Sequence, residues 1–223
     1  MTGKRTIAVM QPYFFPYGGY FRLMAACDVF VVFDDVQFPR RGRVHRCEMT
    51  PGRWLTLPLA PMPVDTRIKD LRWADDARST LDKRLSIFGL PGQVATPAAE
   101  RISNHLTGSL GDVTSFLREG LRLMADALDL KTDFLRSSSL DIDPALRGQA
   151  RVIGIVQALG GQRYINAPGG RSLYAADSFR QAGIDLRFLV PYEGRFPHIL
   201  PALFGNDLAD LRDDVRNTCH WAS

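Results

Sequence analysis

The residues with the clearest capacity for chemistry lie between positions 34 and 47. Asp34 and Asp35 end an apolar run, and His45 and Cys47 follow an arginine-rich stretch. A histidine titrates near working pH and can act as a general base, as a carboxylate can, and a thiolate can accept an acyl group. His45 and Asp34 are therefore candidate bases. Cys47 is a candidate nucleophile that would share a face with His45 in an extended chain, although an ordinary thiol is the preferred interpretation.

Arginines lie between the acidic pair and the histidine. Guanidinium groups bind phosphate through paired hydrogen bonds, so Arg40, Arg41 and Arg43 predict either a solvated loop or a clamp for a phosphate or phosphopantetheine group. Adjacent carboxylates of an extended chain point in opposite directions, so only one of Asp34 and Asp35 needs to face a ligand. The alternative is that both act as caps or pair with these arginines. The predicted substrate-binding residues of this stretch are Asp35, Gln37, Arg40, Arg41 and Arg43.

A loop rich in aromatic residues, proline and glycine spans positions 11 to 20. Glycines at the head of a helix let a ligand approach the backbone, where free N–H groups and the helix dipole favour an anion. Tyr20 and the amides of Gly18 and Gly19 are candidate donors to an oxyanion. Phe14 and Phe15 either plug the end of the sheet or contact the ligand. The predicted substrate-binding residues of this loop are Gln11, Tyr13, Tyr17, Gly18 and Gly19.

Apolar runs flank this loop and must position it. Thr6 to Met10 and Val29 to Phe33 are bounded by turn residues and separated by a short helical pattern, Tyr20 to Cys27, which is typical of a buried parallel β-loop-α-β unit. Ligands of open α/β sheets lie beyond the carboxyl ends of the strands. We therefore expect the aromatic loop and the acidic pair to face one crevice.

The same pattern recurs late in the chain. A strand from Arg163 leads into a second glycine-rich turn, followed by a predicted helix from Leu173 to Ala182 and a strand from Ile184 to Val190. This turn is either a second ligand-facing site or a tight connection between strand and helix. Its predicted substrate-binding residues are Asn166, Gly169, Gly170 and Arg171.

The middle of the chain has a different character. Short strands are predicted at 54–59, 68–73 and within 131–140, and helical periodicity covers 76–130, which we interpret as a helical insertion or lid. Asp143 and Pro144 indicate the start of a helix that runs to Leu159. The sequence predicts one α/β domain over residues 1–223, with a parallel sheet flanked by helices and 76–130 inserted within it.

Composition limits the classes of partner. The formal net charge is +4, from 28 basic and 24 acidic residues, without the basic run typical of nucleic-acid binding. Three cysteines form neither a CxxC pair nor an even set, which favours a reducing cytoplasm. No stretch approaches a membrane span, so neither nucleic acid nor membrane is expected as a partner. Cys219 and His220 are interpreted as a frayed C-terminal tail.

Five separated motifs carry a family resemblance. They are MQPYFFPYGGYFRL, FDDVQFPRRG, WLTLPL, RYINAPGGRSLY and FLVPY. The chain resembles the WbqC-like family, bacterial proteins often found beside sugar-modifying and natural-product pathway enzymes. That resemblance implies a role in modifying amino sugars or building amide-containing metabolites. The chain departs from the family pattern at His45, where asparagine is usual, and at His198 and Pro201, where serine and aspartate are usual; His198 joins the predicted substrate-binding residues.

A more distant likeness bears on mechanism. The first unit is similar to the adenylyltransferase and pantothenate-synthetase group, which implies a Rossmann-like (HUP-type) fold. The H-x-G-H signature of that group corresponds here to Tyr17-Gly18-Gly19-Tyr20, so tyrosines replace both phosphate-stabilising histidines. The resemblance therefore favours an enzyme that receives an acid already activated, as a carrier-protein or coenzyme A thioester.

Three functions remain open. The favoured one is an acyl or aminoacyl transferase that forms an amide with a small-molecule amine, without a metal or cofactor. The second is ATP-dependent nucleotidyl transfer or amide ligation, with Mg²⁺ held by Asp34 and Asp35. The third is a non-catalytic module that binds a nucleotide-sugar or a carrier protein.

Overall fold

A computed structural model describes residues 3–90, 96–205 and 208–221. Its strands are β1 (Thr6–Met10), β2 (Val29–Val32), β3 (Arg46–Thr50), β4 (Arg53–Thr56), β5 (Asp133–Arg136), β6 (Arg163–Asn166) and β7 (Asp185–Phe188). Its helices are α1 (Gly18–Ala25), α2 (Ala77–Ile87), α3 (Pro97–Thr107), α4 (Val113–Ala127), α5 (Gly148–Ala158), α6 (Ala176–Gln181), α7 (Ile199–Phe204) and α8 (Leu208–Asn217). Short 3-10 turns cover Ile68–Asp70, Ser137–Ser139 and Pro168–Leu173.

Five strands form one parallel sheet in the order β5-β2-β1-β6-β7. The chain moves outward from β1 through β2 to β5, then returns to β6 and continues outward to β7 on the other side. The predicted α/β, Rossmann-like parallel sheet flanked by helices is confirmed. Strands β3 and β4 form a separate antiparallel hairpin. The order reverses between β1 and β6, so the carboxyl ends of these two strands form the switch point of the sheet.

Alternating side chains of the strands enter two different cores. Ala8 and Phe30 face the larger core, which includes α1, the helical middle of the chain, the hairpin and the C-terminal helices. Ile7 and Val29 face the smaller core against α5 and α6. Successive side chains of a strand point to opposite faces of the sheet. Because both faces are covered, almost every position of β1 and β2 is buried and these strands are continuous apolar runs. The buried residues of α2, α3 and α4 belong to the larger core.

Several element boundaries differ from the sequence predictions. The predicted strand near Ile68 is a 3-10 turn, and 54–59 contributes a strand only from Arg53 to Thr56. The predicted helix from Asp143 begins at Gly148 instead. Its Asp143 carboxylate accepts a hydrogen bond from the Ala145 amide and so stabilises a turn that precedes the helix. The second glycine-rich turn likewise forms a 3-10 turn, and helix α6 starts after it.

The expectation of a frayed C-terminal tail is wrong. Helix α8 packs against α1, and the segment after it pairs with the end of β7 through a Leu189–Trp221 bridge. Arg22 on α1 is only 1% exposed and holds this segment in place. Its guanidinium group donates to the carbonyl oxygens of Thr218 at 2.6 Å and Val190 at 2.9 Å. Hydrogen bonds from a buried arginine of α1 thus fix the C-terminal segment to the body of the protein.

No helix within the described residues is long and apolar enough to cross a membrane.

Replacing Arg22 with methionine should lower the free energy of unfolding by about 3 kcal/mol, because it leaves two partly buried carbonyl groups without donors. Urea denaturation followed by circular dichroism measures this change. Arg216→Met is the matched control on α8, since Arg216 is exposed and pairs with Asp129 only at the surface. Equal losses for the two variants would contradict the role assigned to Arg22.

Candidate functional site

Backbone pairing places the residues that follow β2. Residues 34–38, which we call the acidic strip, run beside residues 66–69. Phe38 donates its N–H to Thr66 at 2.8 Å, and Ile68 donates to Val36 at 2.9 Å. This pairing sets Arg67 opposite Gln37 in an isolated bridge. The strip therefore brings a distant loop to the carboxyl edge of the sheet.

Asp34 anchors the acidic strip. Its side chain is fully buried, and its carboxylate accepts hydrogen bonds from Arg136 Nε at 2.7 Å, Ser138 N at 3.0 Å and Ser138 Oγ at 2.7 Å. Ser137 Oγ lies 3.1 Å from the same carboxylate. These partners satisfy both oxygens, so the geometry does not support Asp34 as the general base. Its partners lie at the end of β5, which makes Asp34 a tie between neighbouring strands.

Asp35 has a different arginine partner. Its carboxylate pairs with Arg151 of α5 and accepts a hydrogen bond from Ser137 Oγ at 2.6 Å. The two aspartates therefore do pair with arginines, but with ones more than 100 positions away in the chain, at separations of 102 for Asp34 and 116 for Asp35. The arginines just downstream are not their partners. Asp35 nevertheless lines a cavity, as its assignment to substrate binding requires.

Asp34→Ala should lower the free energy of unfolding by about 3 kcal/mol, because it leaves the partly buried Arg136 guanidinium and the amide and hydroxyl of Ser138 without their acceptor. Thermal or urea denaturation measures the change. Asp133→Ala, which removes an exposed carboxylate from β5, serves as the control. A stable Asp34→Ala protein that has lost only catalytic rate would restore Asp34 as the base.

Three arginines line the cavity beside Asp35, which we call the arginine cavity and which has a volume of about 370 Å³. They are Arg67 from the paired loop and Arg147 and Arg151 from the start of α5. Sequence analysis missed all three. Gly148 could have pointed to them, because a glycine at the head of a helix is the pattern that was used to predict the other two sites. The structure confirms that Gly148 starts α5, with a φ of +51°. The stronger Asp143–Pro144 signal placed Gly148 inside the predicted helix.

The arginine cavity continues into a groove. A middle hollow of about 550 Å³ shares Asp65 and Arg67 with it. The next hollow, of about 330 Å³, shares Ala60, Pro61 and Met62 with the middle one and is lined by His45. We call the last one the histidine hollow. Because neighbouring hollows share lining residues, we call the three together the groove, which extends from the start of α5 toward the β3–β4 hairpin.

His45 stands at the far end of this groove. Its ring meets that of Phe38 edge to face at 5.1 Å, and its Nδ1 is buried without a hydrogen-bond partner among the described residues. Burial, with a smaller effect of the Arg46 charge, lowers the pKa of His45 below its ordinary value of 6.5. His45 is therefore neutral at pH 7 and has a free nitrogen lone pair or N–H to offer.

Cys47 is not placed for nucleophilic attack. Its side chain is 2% exposed, its thiol contacts Met49 Sδ at 3.9 Å, and it belongs to the larger core. Burial raises the pKa of this thiol, so the reactive thiolate is not formed near neutral pH. Although Cys47 is only two residues from His45, its side chain lies in the core and does not line the histidine hollow.

The predicted clamp of Arg40, Arg41 and Arg43 is divided in the structure. Arg40 lines the histidine hollow and donates to the carbonyl of Met62 at 2.6 Å. Arg43 lies over the rings of Tyr17 and Trp54, at 5.9 and 5.1 Å. Arg41 is exposed. These three arginines therefore do not line one cavity, whereas Arg67, Arg147 and Arg151 all line the arginine cavity.

The head of α1 is covered by the protein itself. The Gly18 amide donates to the carbonyl of Phe196 at 2.8 Å, and a Cβ at Gly18 would lie 2.5 Å from the Tyr192 hydroxyl. Tyr20 is buried and donates its hydroxyl to the Gln11 carbonyl at 2.6 Å. The predicted anion site at Gly18 and Gly19 and the predicted oxyanion donors are thus engaged in internal contacts. The expectation of an open glycine turn here is wrong.

The remaining residues of the aromatic loop divide between core and edge. Phe14 and Phe15 are 2% and 4% exposed, so they plug the sheet, and Phe15 adopts a left-handed φ of +40°. Tyr13 and Tyr17 are half-buried, and Tyr13 lies 5.3 Å from the Tyr20 ring. Burial raises the pKa of Tyr13, so its hydroxyl stays protonated. Gln11, at the carboxyl end of β1, is half-buried at the switch point.

The second glycine-rich turn lies at the carboxyl end of β6, across β1 from the acidic strip. Asn166 is buried and its Oδ1 accepts from the Ala167 amide at 2.7 Å, which is a structural role. A Cβ at Gly170 would meet the Asn166 amide, whereas Gly169 borders open space. Arg171 lies over the Phe188 ring at 5.1 Å. The structure does not join this turn to the groove.

His198 precedes α7, and its Nδ1 is buried without a partner among the described residues. It does not line any of the three hollows of the groove.

Gln37 does line the arginine cavity, and its Nε2 donates to the Val64 carbonyl at 2.8 Å.

Comparison with known proteins gives a family and little else. The family model described as the WbqC-like protein family matches residues 11–204. One curated relative, described as "Uncharacterized protein Rv1507c" of Mycobacterium tuberculosis (strain ATCC 25618 / H37Rv), is 33% identical over 58 residues. The match covers 25% of this chain and 25% of that relative, so the chain spans about a quarter of its length. No solved structure matches the chain.

Proposed function

We propose that this chain, which belongs to the WbqC-like protein family, transfers an acyl or aminoacyl group from a thioester to an amine. One observation carries the proposal. A neutral histidine lies at one end of a groove whose other end is lined by three arginines. A thioester of coenzyme A or of a carrier protein has the same layout, with a phosphate at one end of a flexible arm and the reactive carbonyl at the other.

His45 acts as the general base. It takes a proton from the amine as the new C–N bond forms, and the C–S bond then breaks and the thiolate leaves, receiving the proton from His45. Because burial keeps the imidazole neutral, the base is ready at pH 7 without the help of a carboxylate. Asp34 and Cys47, the other predicted catalytic residues, have no part in this scheme.

Arg40 stabilises the oxyanion that develops on the thioester carbonyl. Its side chain lines the histidine hollow, and one Nη2 hydrogen bond to Met62 orients it there. The guanidinium group has five N–H donors, so donors remain after this bond is made. Arg40 replaces Tyr20 and the Gly18 amide, whose hydrogens are already donated to protein carbonyls. The acceptor is a small-molecule amine, in keeping with the pathways in which the sequence resemblance places the family.

The alternative of nucleotidyl transfer with Mg²⁺ is less well supported. It requires open carboxylate oxygens at Asp34 and Asp35, but both carboxylates bind arginine and serine side chains. A metal would have to displace these partners. A binding module without turnover uses the same groove, and kinetics distinguishes it from an enzyme.

His45→Gln should reduce kcat for thioester aminolysis by about 100-fold or more, because glutamine keeps a polar group but cannot accept the proton. Release of free thiol from acyl-coenzyme A, with a panel of amino sugars and other primary amines, measures the rate. His220→Gln is the matched control, since His220 is exposed and lies outside the groove. Wild-type rates for His45→Gln would remove the histidine from the mechanism.

The pH dependence of kcat should report the lowered pKa of His45. A base works only when unprotonated, so the rate should be level well above the pKa of His45 and fall as pH drops through it, with the midpoint of that fall below 6.5. Steady-state rates between pH 5 and 8 on the wild-type chain provide the profile. With the concentration of unprotonated amine held constant, a fall centred above pH 6.5 would contradict a base in this environment.

A further inference from the structure

We infer that the arginine cavity binds the phosphate that joins the pantetheine arm to its carrier, and so fixes the donor in the groove. This inference rests on the proposed function and adds to it the chemical class of the donor and the residues that select it. Arg67, Arg147 and Arg151 belong to none of the sequence motifs and take no part in the transfer chemistry of the histidine hollow.

The three arginines differ in their freedom to bind a ligand. Arg151 is nearly buried and is fixed by Asp35 and by the carbonyl of Asp143 at 3.3 Å. Arg147 is exposed and donates to the carbonyls of Pro144 and Leu146 through one nitrogen, Nη1. Arg67 is exposed, and its guanidinium has no hydrogen bond or ion pair with the described residues. Two exposed guanidinium groups thus line the same cavity as one that is held by an ion pair.

The cavity has an excess of positive charge. Asp35 is neutralised by Arg151, which leaves Arg67 and Arg147 facing the single carboxylate of Asp65. The first amides of α5 add to this potential, because its N-cap residue Arg147 makes no side-chain capping bond. A phosphate ester suits such a site, because two guanidinium groups can each bind its oxygens in paired geometry.

The groove beyond the cavity fits the rest of the donor. Ala60, Pro61 and Met62 offer apolar contacts along one part of the middle hollow, which is also lined by the charged side chains of Asp65, Arg67, Asp70 and Arg72. An extended pantetheine arm alternates methylene and amide groups and can lie along such a surface. The arm then brings its thioester to the histidine hollow, which shares these three residues.

Binding of dephosphorylated and phosphorylated arms tests the inference without any turnover. Calorimetric titration of the full chain with pantetheine, 4′-phosphopantetheine and coenzyme A should give about tenfold or more tighter binding for the two phosphorylated probes. Arg67→Gln and Arg147→Gln should each reduce that difference by about threefold or more. Both side chains are exposed, so circular dichroism should report a folded protein. Equal affinity for pantetheine and 4′-phosphopantetheine would overturn the inference.

Two further variants give opposite and null responses. Asp65→Asn should tighten binding of 4′-phosphopantetheine, because it removes the carboxylate that opposes the anion. Arg101→Gln removes an exposed arginine of α3 that does not line the cavity, and it should leave the affinity unchanged. If Arg101→Gln weakens binding as much as Arg67→Gln does, the attraction is a general effect of net charge and the site is refuted.

The two sources of the phosphate give different affinities. Equal binding of 4′-phosphopantetheine and coenzyme A indicates a carrier-protein donor, whereas much tighter binding of coenzyme A indicates the free thioester; both results support the site. Tighter binding of ATP than of either probe would overturn the assignment to a pantetheine donor. Phosphate-dependent binding without turnover of any thioester would refute the proposed function and leave the site intact. Turnover that depends on His45 but not on Arg67 or Arg147 would support the proposed function and refute the phosphate site.

Discussion

The groove depends on the buried carboxylate of Asp34. By binding Arg136 and Ser138 at the end of β5, Asp34 fixes the chain as it leaves β2, and its own carbonyl accepts the Lys69 amide at 2.7 Å. Asp34 therefore contributes to holding both the acidic strip and its paired loop at the edge of the sheet, together with the backbone bonds of Val36 and Phe38. A buried carboxylate is costly unless every oxygen is paired, and three protein donors reach both oxygens of this one. Structural demand, rather than catalysis, accounts for an acid at this position.

The same stretch of chain creates contrasting environments for its titratable groups. Burial favours the uncharged state of both His45 and Cys47, but with opposite chemical results. The imidazole becomes a ready base when its pKa falls, whereas the thiol becomes inert when its pKa rises. His45 lines the groove and Cys47 lies in the core. The uncharged base is therefore the group within reach of a ligand, and the inert thiol is the one that is not. This contrast favours direct aminolysis over a covalent acyl-enzyme.

The sequence predicted the sheet better than the site. Strands such as β1 and β2 were readable because both faces are buried, so their apolar runs are continuous. His45 was predicted from its residue type, and the structure shows that it lines a hollow. The Asp35–Arg151 pair was not, because 116 positions separate its members and no local pattern encodes such a pairing.

Two other errors have local causes. The glycines at the head of α1 were read as open, but their neighbours in space, Tyr192 and Phe196, come from the far end of the chain. Gly148 was overlooked because an aspartate and a proline gave a stronger signal for a helix start a few residues earlier. In both cases, the sequence identified a turn but not what lies against it.

The most direct test of the central claim is mass spectrometry of the protein mixed with an acyl or aminoacyl thioester and an amine acceptor, with and without ATP. A groove that receives an acid already activated predicts the amide product in both mixtures, with release of one free thiol for each amide formed. Product that appears only when ATP is present would contradict the account and favour an enzyme that activates the acid itself.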